Sequence, residues 1–208
     1  MSRNAEAVTL HFTQTCNLKC KYCYVPHNLT EKPIRDKLSD KSWFEEIKRV
    51  NGVTCKVLCF WGGEPTQNLP TFTSLIDDEF IEQYLPNMER IDFSTNLATD
   101  NALKSILEFR DKALTLKKEW PLKRTFQENK FSTQVSIDGP LFINDVNRPG
   151  AHVEHILYRL EKLQEAGIQL KIKGTFSTSD VASLAYNKEN YEVYHNFAEY
   201  LKLQYGMH

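Results

Sequence analysis

Cys16, Cys20 and Cys23 stand within one eight-residue run, Cys16-Asn17-Leu18-Lys19-Cys20-Lys21-Tyr22-Cys23. A C-x3-C-x2-C spacing delivers three thiolates from a single short loop, and three is an unusual number. Structural zinc takes four protein ligands, and an ordinary 4Fe–4S cluster takes four cysteines. A set of three leaves one coordination position open. On a redox-active cluster, that position is where a small molecule can dock and receive an electron. His27, four residues past Cys23, makes a Cys3His zinc site arithmetically available as the competing reading.

Other polar or glycine-containing segments recur along the chain, each just after a short apolar run. They are Gly62-Gly63-Glu64-Pro65, Ser94-Thr95-Asn96, Ser136-Ile137-Asp138-Gly139-Pro140 and Gly174-Thr175. The apolar runs read as strands over Val8–Thr13, Cys55–Trp61, Arg90–Ser94, Ser132–Ile137 and Ile168–Lys173. Cys55 and Cys59 share one face of the second run with Val57 and Trp61, and read there as small buried hydrophobes rather than ligands. His11, between Leu10 and Phe12, reads as an interior hydrogen-bonded histidine.

Helical spacing fills the gaps. Trp43, Ile47 and Val50 predict a helix over 39–50, stopped by Asn51-Gly52. Further helices are predicted over 72–85, around Leu103–Leu114, over Val153–Leu163 with Gly167 as the closing glycine, and around Tyr191–Leu201. The charged stretch 117–130 reads as a surface excursion. Strands alternating with helices predict an α/β fold, with five βα units about a parallel sheet in one domain over 1–208. Ligand sites of such sheets gather at the C-terminal ends of the strands. All of the segments above therefore belong to one rim, which argues for a single site.

Composition narrows the classes. The 208 residues carry 26 Lys and Arg against 27 Asp and Glu, a net charge of -1, with no basic excess to hold nucleic acid. No stretch reaches the roughly 20 apolar residues of a membrane span, and the first residues do not read as a secretory signal. A cytoplasmic location is expected, where five cysteines point to metal or redox chemistry rather than to disulfides.

The cysteine loop with Tyr22 before its last cysteine, followed in order by GGEP, by SIDGP with Arg148, and by Lys173-Gly174-Thr175, resembles the radical S-adenosylmethionine (SAM) superfamily. The later segments look most like the branch of anaerobic sulfatase-maturing enzymes and other peptide maturases. The resemblance implies a partial (β/α) barrel of parallel strands, of about five to six units. It also implies a 4Fe–4S cluster on Cys16, Cys20 and Cys23, with SAM chelating the fourth iron. The cluster reduces the sulfonium, and a 5′-deoxyadenosyl radical takes hydrogen from the substrate.

Carried over by position, Gly62 and Gly63 admit the methionyl ammonium, and Glu64 adds a bond or braces the turn. Ser136 meets the ribose, and Arg148 meets the SAM carboxylate. Tyr22 lies beside the adenine or caps the cluster. Thr95, Asn96 and Thr175 complete the ribose and adenine surroundings, and Asp138 organises its turn. The implied partners are a peptide or protein substrate, or a small molecule, together with an electron donor such as flavodoxin or ferredoxin.

The chain departs from the family pattern at its end. A sixth βα unit and a cysteine-rich extension are not evident, and a shortened piece of a longer protein, a natural truncation and a partner chain completing the barrel all stay open. The alternative class is a cluster- or zinc-holding barrel remnant without turnover.

Overall fold

The computed structural model of the chain describes residues 6–25, 41–51, 54–117 and 131–205. His27 and the stretch 118–130 lie outside these. Five strands form: β1 (Ala7–Thr13), β2 (Val57–Gly62), β3 (Arg90–Thr95), β4 (Ser132–Ser136) and β5 (Gln169–Lys173). They pair in sequence order, every neighbour parallel, into one open sheet. Parallel neighbours need crossover connections, which helices supply. Those helices are α1 (Ser42–Asn51) after β1, α2 (Leu69–Leu75) and α3 (Asp78–Tyr84) after β2, and α4 (Asp100–Leu114) after β3. α5 (Leu141–Asn147) and α6 (Val153–Glu165) follow β4, and α7 (Thr178–Tyr186) and α8 (Lys188–Tyr205) follow β5. The five expected βα units are present.

The sheet has two chemically different faces, because side chains alternate along each strand. Leu10, Leu58, Phe60, Ile91, Phe93, Val135 and Leu170 are buried and join the helices in one core. Aromatic rings dominate that layer. Phe60 meets Phe72 edge-on at 4.9 Å, and Phe44 meets Phe80 edge-on at 4.8 Å. Such contacts add about 0.5–1.5 kcal/mol each beyond area burial.

The opposite face is polar. Its lower row runs Thr9, Cys59, Asp92 and Ser132 in register across β1 to β4, and Ser94, Gln134 and Lys171 lie in register above it on β3 to β5. A closed barrel packs this surface with branched aliphatics. Here it is left as a groove.

Three departures from the sequence expectations have local causes. The helix expected over 72–85 is two helices, because Asp77 takes an extended backbone and accepts the Phe80 amide at 2.7 Å, capping a new start. α5 and α7 were not anticipated. The first is seven residues long, too short for its period to register, and the second is specified by a Ser177–Asp180 capping box rather than by an apolar stripe. Cys55 is buried as expected, whereas Cys59 is half-buried on the polar face, and His11 is exposed opposite Trp61.

Candidate active site at the strand ends

The loop after β1 carries the three cysteines and is tied down by its neighbours. Buried Leu18 pins it to the core, and the Lys21 amide donates to Asn147 O at 3.0 Å. The Cys23 amide turns back onto Cys20 O at 3.1 Å. The Leu18 amide donates to Cys16 Sγ at 3.4 Å, and Asn96 Nδ2 reaches the same sulfur at 3.7 Å while donating to Asn17 Oδ1 at 2.9 Å. All three thiols are free and half-buried. Burial pushes the Cys16 thiol up to about 11 and raises Cys20 as well. A metal bound here must therefore displace protons.

β2 ends against this loop, and only glycine permits the approach. Gly62 sits at φ +127°, and a Cβ there would lie 2.1 Å from Thr13 O. A Cβ at Gly63 would lie 2.1 Å from Thr15 O. Without those carbons, the Gly63 amide donates to Thr13 O at 2.6 Å and the Glu64 amide to Thr15 O at 2.8 Å.

Glu64 turns inward and is buried. Its Oε1 accepts from the Thr66 amide (3.2 Å), Thr66 Oγ1 (2.6 Å) and Thr95 Oγ1 (2.7 Å), and its Oε2 accepts from the Asn96 amide at 2.7 Å. One carboxylate thus welds the GGEP turn to the end of β3. Burial raises its pKa, and the four bonds oppose that rise. Of the two roles implied for Glu64, this geometry displays the bracing one.

Asp138 is the corresponding hub after β4. Its side chain is fully buried. Oδ1 accepts the Thr175 amide at 2.9 Å, and Oδ2 accepts the Tyr22 hydroxyl at 2.6 Å. Arg148 Nε lies 3.1 Å from Oδ2 but off the hydrogen-bonding direction, so the contact is an ion pair only. The guanidinium also covers the Tyr22 ring at 5.4 Å. Burial and the bond to Asp138 together raise the Tyr22 pKa. Asp138 therefore joins the cysteine loop, the β5 loop and Arg148, which caps α5.

These loops enclose a cavity of about 340 Å³. Cys16, Cys20, Tyr22, Cys23, Gly62, Gly63, Glu64, Thr95, Asn96, Ser136, Arg148 and Thr175 all border it. Sequence reasoning brought these residues to one rim, and the fold places them on one cavity. Ser94 and Lys173, which belong to the expected strand-end segments, share the wall, and so do Tyr24, Trp61 and Gln134, which sequence reasoning did not assign to the site. Trp61 Nε1 donates to the Tyr24 hydroxyl, and Lys173 Nζ stands 5.3 Å over the Trp61 ring. Gln134 was legible from its phase on β4, opposite buried Val135, whereas Tyr24 lies in the loop after the cysteines, where no periodicity marks it.

The donor set suits a multi-iron group better than a single ion. Among the described residues, no three His, Cys, Asp or Glu side chains converge on one metal position. In an iron–sulfur cube each thiolate binds a different iron, so convergence is not required. Three unpaired sulfurs on a cavity wall, one already accepting amide donors, fit that chemistry.

An open parallel sheet with a three-thiol rim defines a class of cluster-binding partial barrels. A family model for the radical SAM superfamily matches residues 10–178. The chain belongs to the radical SAM superfamily, whose members use a 4Fe–4S cluster and SAM.

A cysteine-type anaerobic sulfatase-maturating enzyme from Clostridium perfringens is 30% identical over 140 residues, covering 64% of this chain and 32% of that protein. Native anSMEcpe with bound AdoMet and Kp18Cys peptide superposes with a TM-score of 0.59 at 21% identity, over 91% of this chain and 48% of that one. HydG, a maturase of the FeFe-hydrogenase, gives 0.52 at 14%, over 96% of this chain and 40% of its own. These structural likenesses establish the partial-barrel fold. The chain spans about a third of the length of the curated relative it matches. No described helix is long and apolar enough to cross a membrane.

Proposed function

We propose that the chain is a radical SAM core that holds a 4Fe–4S cluster on Cys16, Cys20 and Cys23 and binds SAM in the 340 Å³ cavity. The observation that carries this reading is the convergence of five separate strand-end segments on that one space, beside three uncommitted thiols. When bound, the cluster and SAM supply reductive cleavage of the sulfonium and a 5′-deoxyadenosyl radical that removes hydrogen from a substrate.

The protein's own residues bind and orient. Gly62 and Gly63 hold the β2 turn flush against the cysteine loop, so that backbone rather than side chain faces the ligand. Glu64 fixes that turn from behind. Arg148 offers a guanidinium fork to a carboxylate, held in place by Asp138 and by the Tyr22 face. Ser136, Thr95, Asn96 and Thr175 supply short polar groups around the remainder.

The substrate is proposed to be a peptide or protein, as in maturases, with flavodoxin or ferredoxin as the electron source. The sequence match to a sulfatase-maturating enzyme supports this, as does the polar groove running down the sheet from the cavity. A small-molecule substrate is the second reading, favoured by a further 250 Å³ cavity on the same face that has room for one.

Anaerobic reconstitution tests the core of the proposal. The expected result is a brown protein with about four irons per chain and acid-labile sulfide, releasing 5′-deoxyadenosine from SAM and dithionite. Cys20→Ala should abolish iron uptake, and Cys59→Ala should leave it intact. One tight zinc and no iron, or equal loss in both variants, would overturn it.

A further inference from the structure

The polar face below the cofactor cavity holds a second cavity of about 250 Å³, and the two share Trp61, Ser94 and Gln134. The two spaces therefore adjoin along these three residues. The lower wall combines hydrogen-bonding groups of Asp92, Ser132, Gln134 and Lys171 with the apolar surface of Trp61 and Phe93, so a fitting occupant carries a polar end on an apolar stem.

Charge decides what it prefers. Asp92 borders the lower cavity, but its Oδ2 is taken by Arg90, with Nε at 3.0 Å and a second nitrogen at 2.9 Å. Its other oxygen, Oδ1, is buried without a hydrogen-bond partner, so Arg90 offsets the charge of Asp92 from one side only. Lys171 also lines this cavity, standing in register with Gln134, and Lys173 lines the upper one. Neither lysine makes an ion pair with a described residue. The sheet's inner surface consequently presents uncompensated positive charge along β5.

We propose that the lower cavity is a substrate subsite for a carboxylate, held by Lys171 with the Gln134 side chain alongside. This rests on the radical SAM reading above and adds the substrate's chemistry. Two residues of strand separate Lys171 from Lys173, a rise of about 7 Å. A carboxylate anchored at Lys171 thus presents the part of the substrate about that far away to the cofactor cavity. An acidic peptide side chain and a small dicarboxylate both carry the required group.

The test uses the reconstituted protein with SAM bound, under anaerobic conditions. Decapeptides carrying a single Glu, or its isosteric Gln, at each position are assayed for retention on the immobilised protein, and glutarate is titrated separately by calorimetry. The Glu peptides should bind about tenfold more tightly than their Gln partners, as a charge-assisted bond requires. Lys171→Gln should erase that preference, Lys171→Arg should restore most of it, and SAM affinity should stay within about twofold of wild type, since Lys171 does not border the cofactor cavity. Peptide binding without glutarate binding assigns a peptide side chain, and glutarate binding alone assigns a small acid.

Equal binding of Glu and Gln peptides with no glutarate uptake overturns the subsite. So does a preference that survives Lys171→Gln, or a loss of SAM binding in that variant. Failure of the wild type to bind SAM at all would instead remove the functional reading on which the subsite rests.

Discussion

Replacing Asp138 with Asn removes one charge and keeps the shape of the side chain. The carboxylate serves three donors: the Thr175 amide, the Tyr22 hydroxyl and, through charge, the Arg148 guanidinium. An asparagine has one carbonyl oxygen, so its NH2 must face either the Thr175 amide or the Tyr22–Arg148 side. In either orientation a donor opposes a donor, and Arg148 is left as a buried cation with its side chain only 9% exposed.

Breaking a buried pair by removing one partner costs about 3–5 kcal/mol. The Arg148 contact is misaligned, so the lower end applies, about 3 kcal/mol. With a urea slope of about 2 kcal/mol/M, the midpoint should fall by about 1.5 M. The assay is urea denaturation of the metal-free chain, followed by circular dichroism, with Arg148→Met and the double variant completing a cycle. Coupling between the two sites should be about 1–3 kcal/mol. A midpoint within about 0.3 M of wild type, or strictly additive variants, would refute the account of Asp138 as the clamp between loops.

Further expectations follow from the same site. Because burial raises the Glu64 pKa in the folded chain, that group's contribution is greatest below its unfolded value of about 4.3 and declines as pH rises through the folded value. The stability difference between wild type and Glu64→Gln should therefore shrink from pH 4 to pH 7, and a difference that grows with pH would show the four donors winning. Gly63→Ala forces a carbon to within 2.1 Å of Thr15 O, so the cysteine loop must move. Iron uptake should be lost, with destabilisation of at least about 2 kcal/mol by thermal melt, whereas full iron content would contradict the close approach. Arg148→Ala should weaken SAM binding by at least about tenfold while sparing iron content, and unchanged affinity in equilibrium dialysis would remove Arg148 from the ligand.

The local pieces can be read from residue order alone: three thiols at fixed spacing, the glycines of the β2 turn, and five apolar runs separated by helical stripes. These are legible because strand alternation and helical period are short-range, and because parallel βα units place every strand's C-terminal end on the same side. The shared rim of Cys16, Gly63, Asn96, Ser136 and Thr175 follows from that topology alone.

Tertiary structure decided what those residues touch. Glu64 and Asp138 look alike on paper as single carboxylates in turns. One became the brace between β2 and β3, the other the junction of Tyr22, Arg148 and Thr175, through partners as many as 116 positions apart. No periodicity encodes such pairings. Cys59 and His11 were misread for a related reason: which side of a strand faces the helices depends on the closure of the sheet, and an open sheet leaves its inner side wet. The groove, its lysines and the second cavity exist only because that face was never packed.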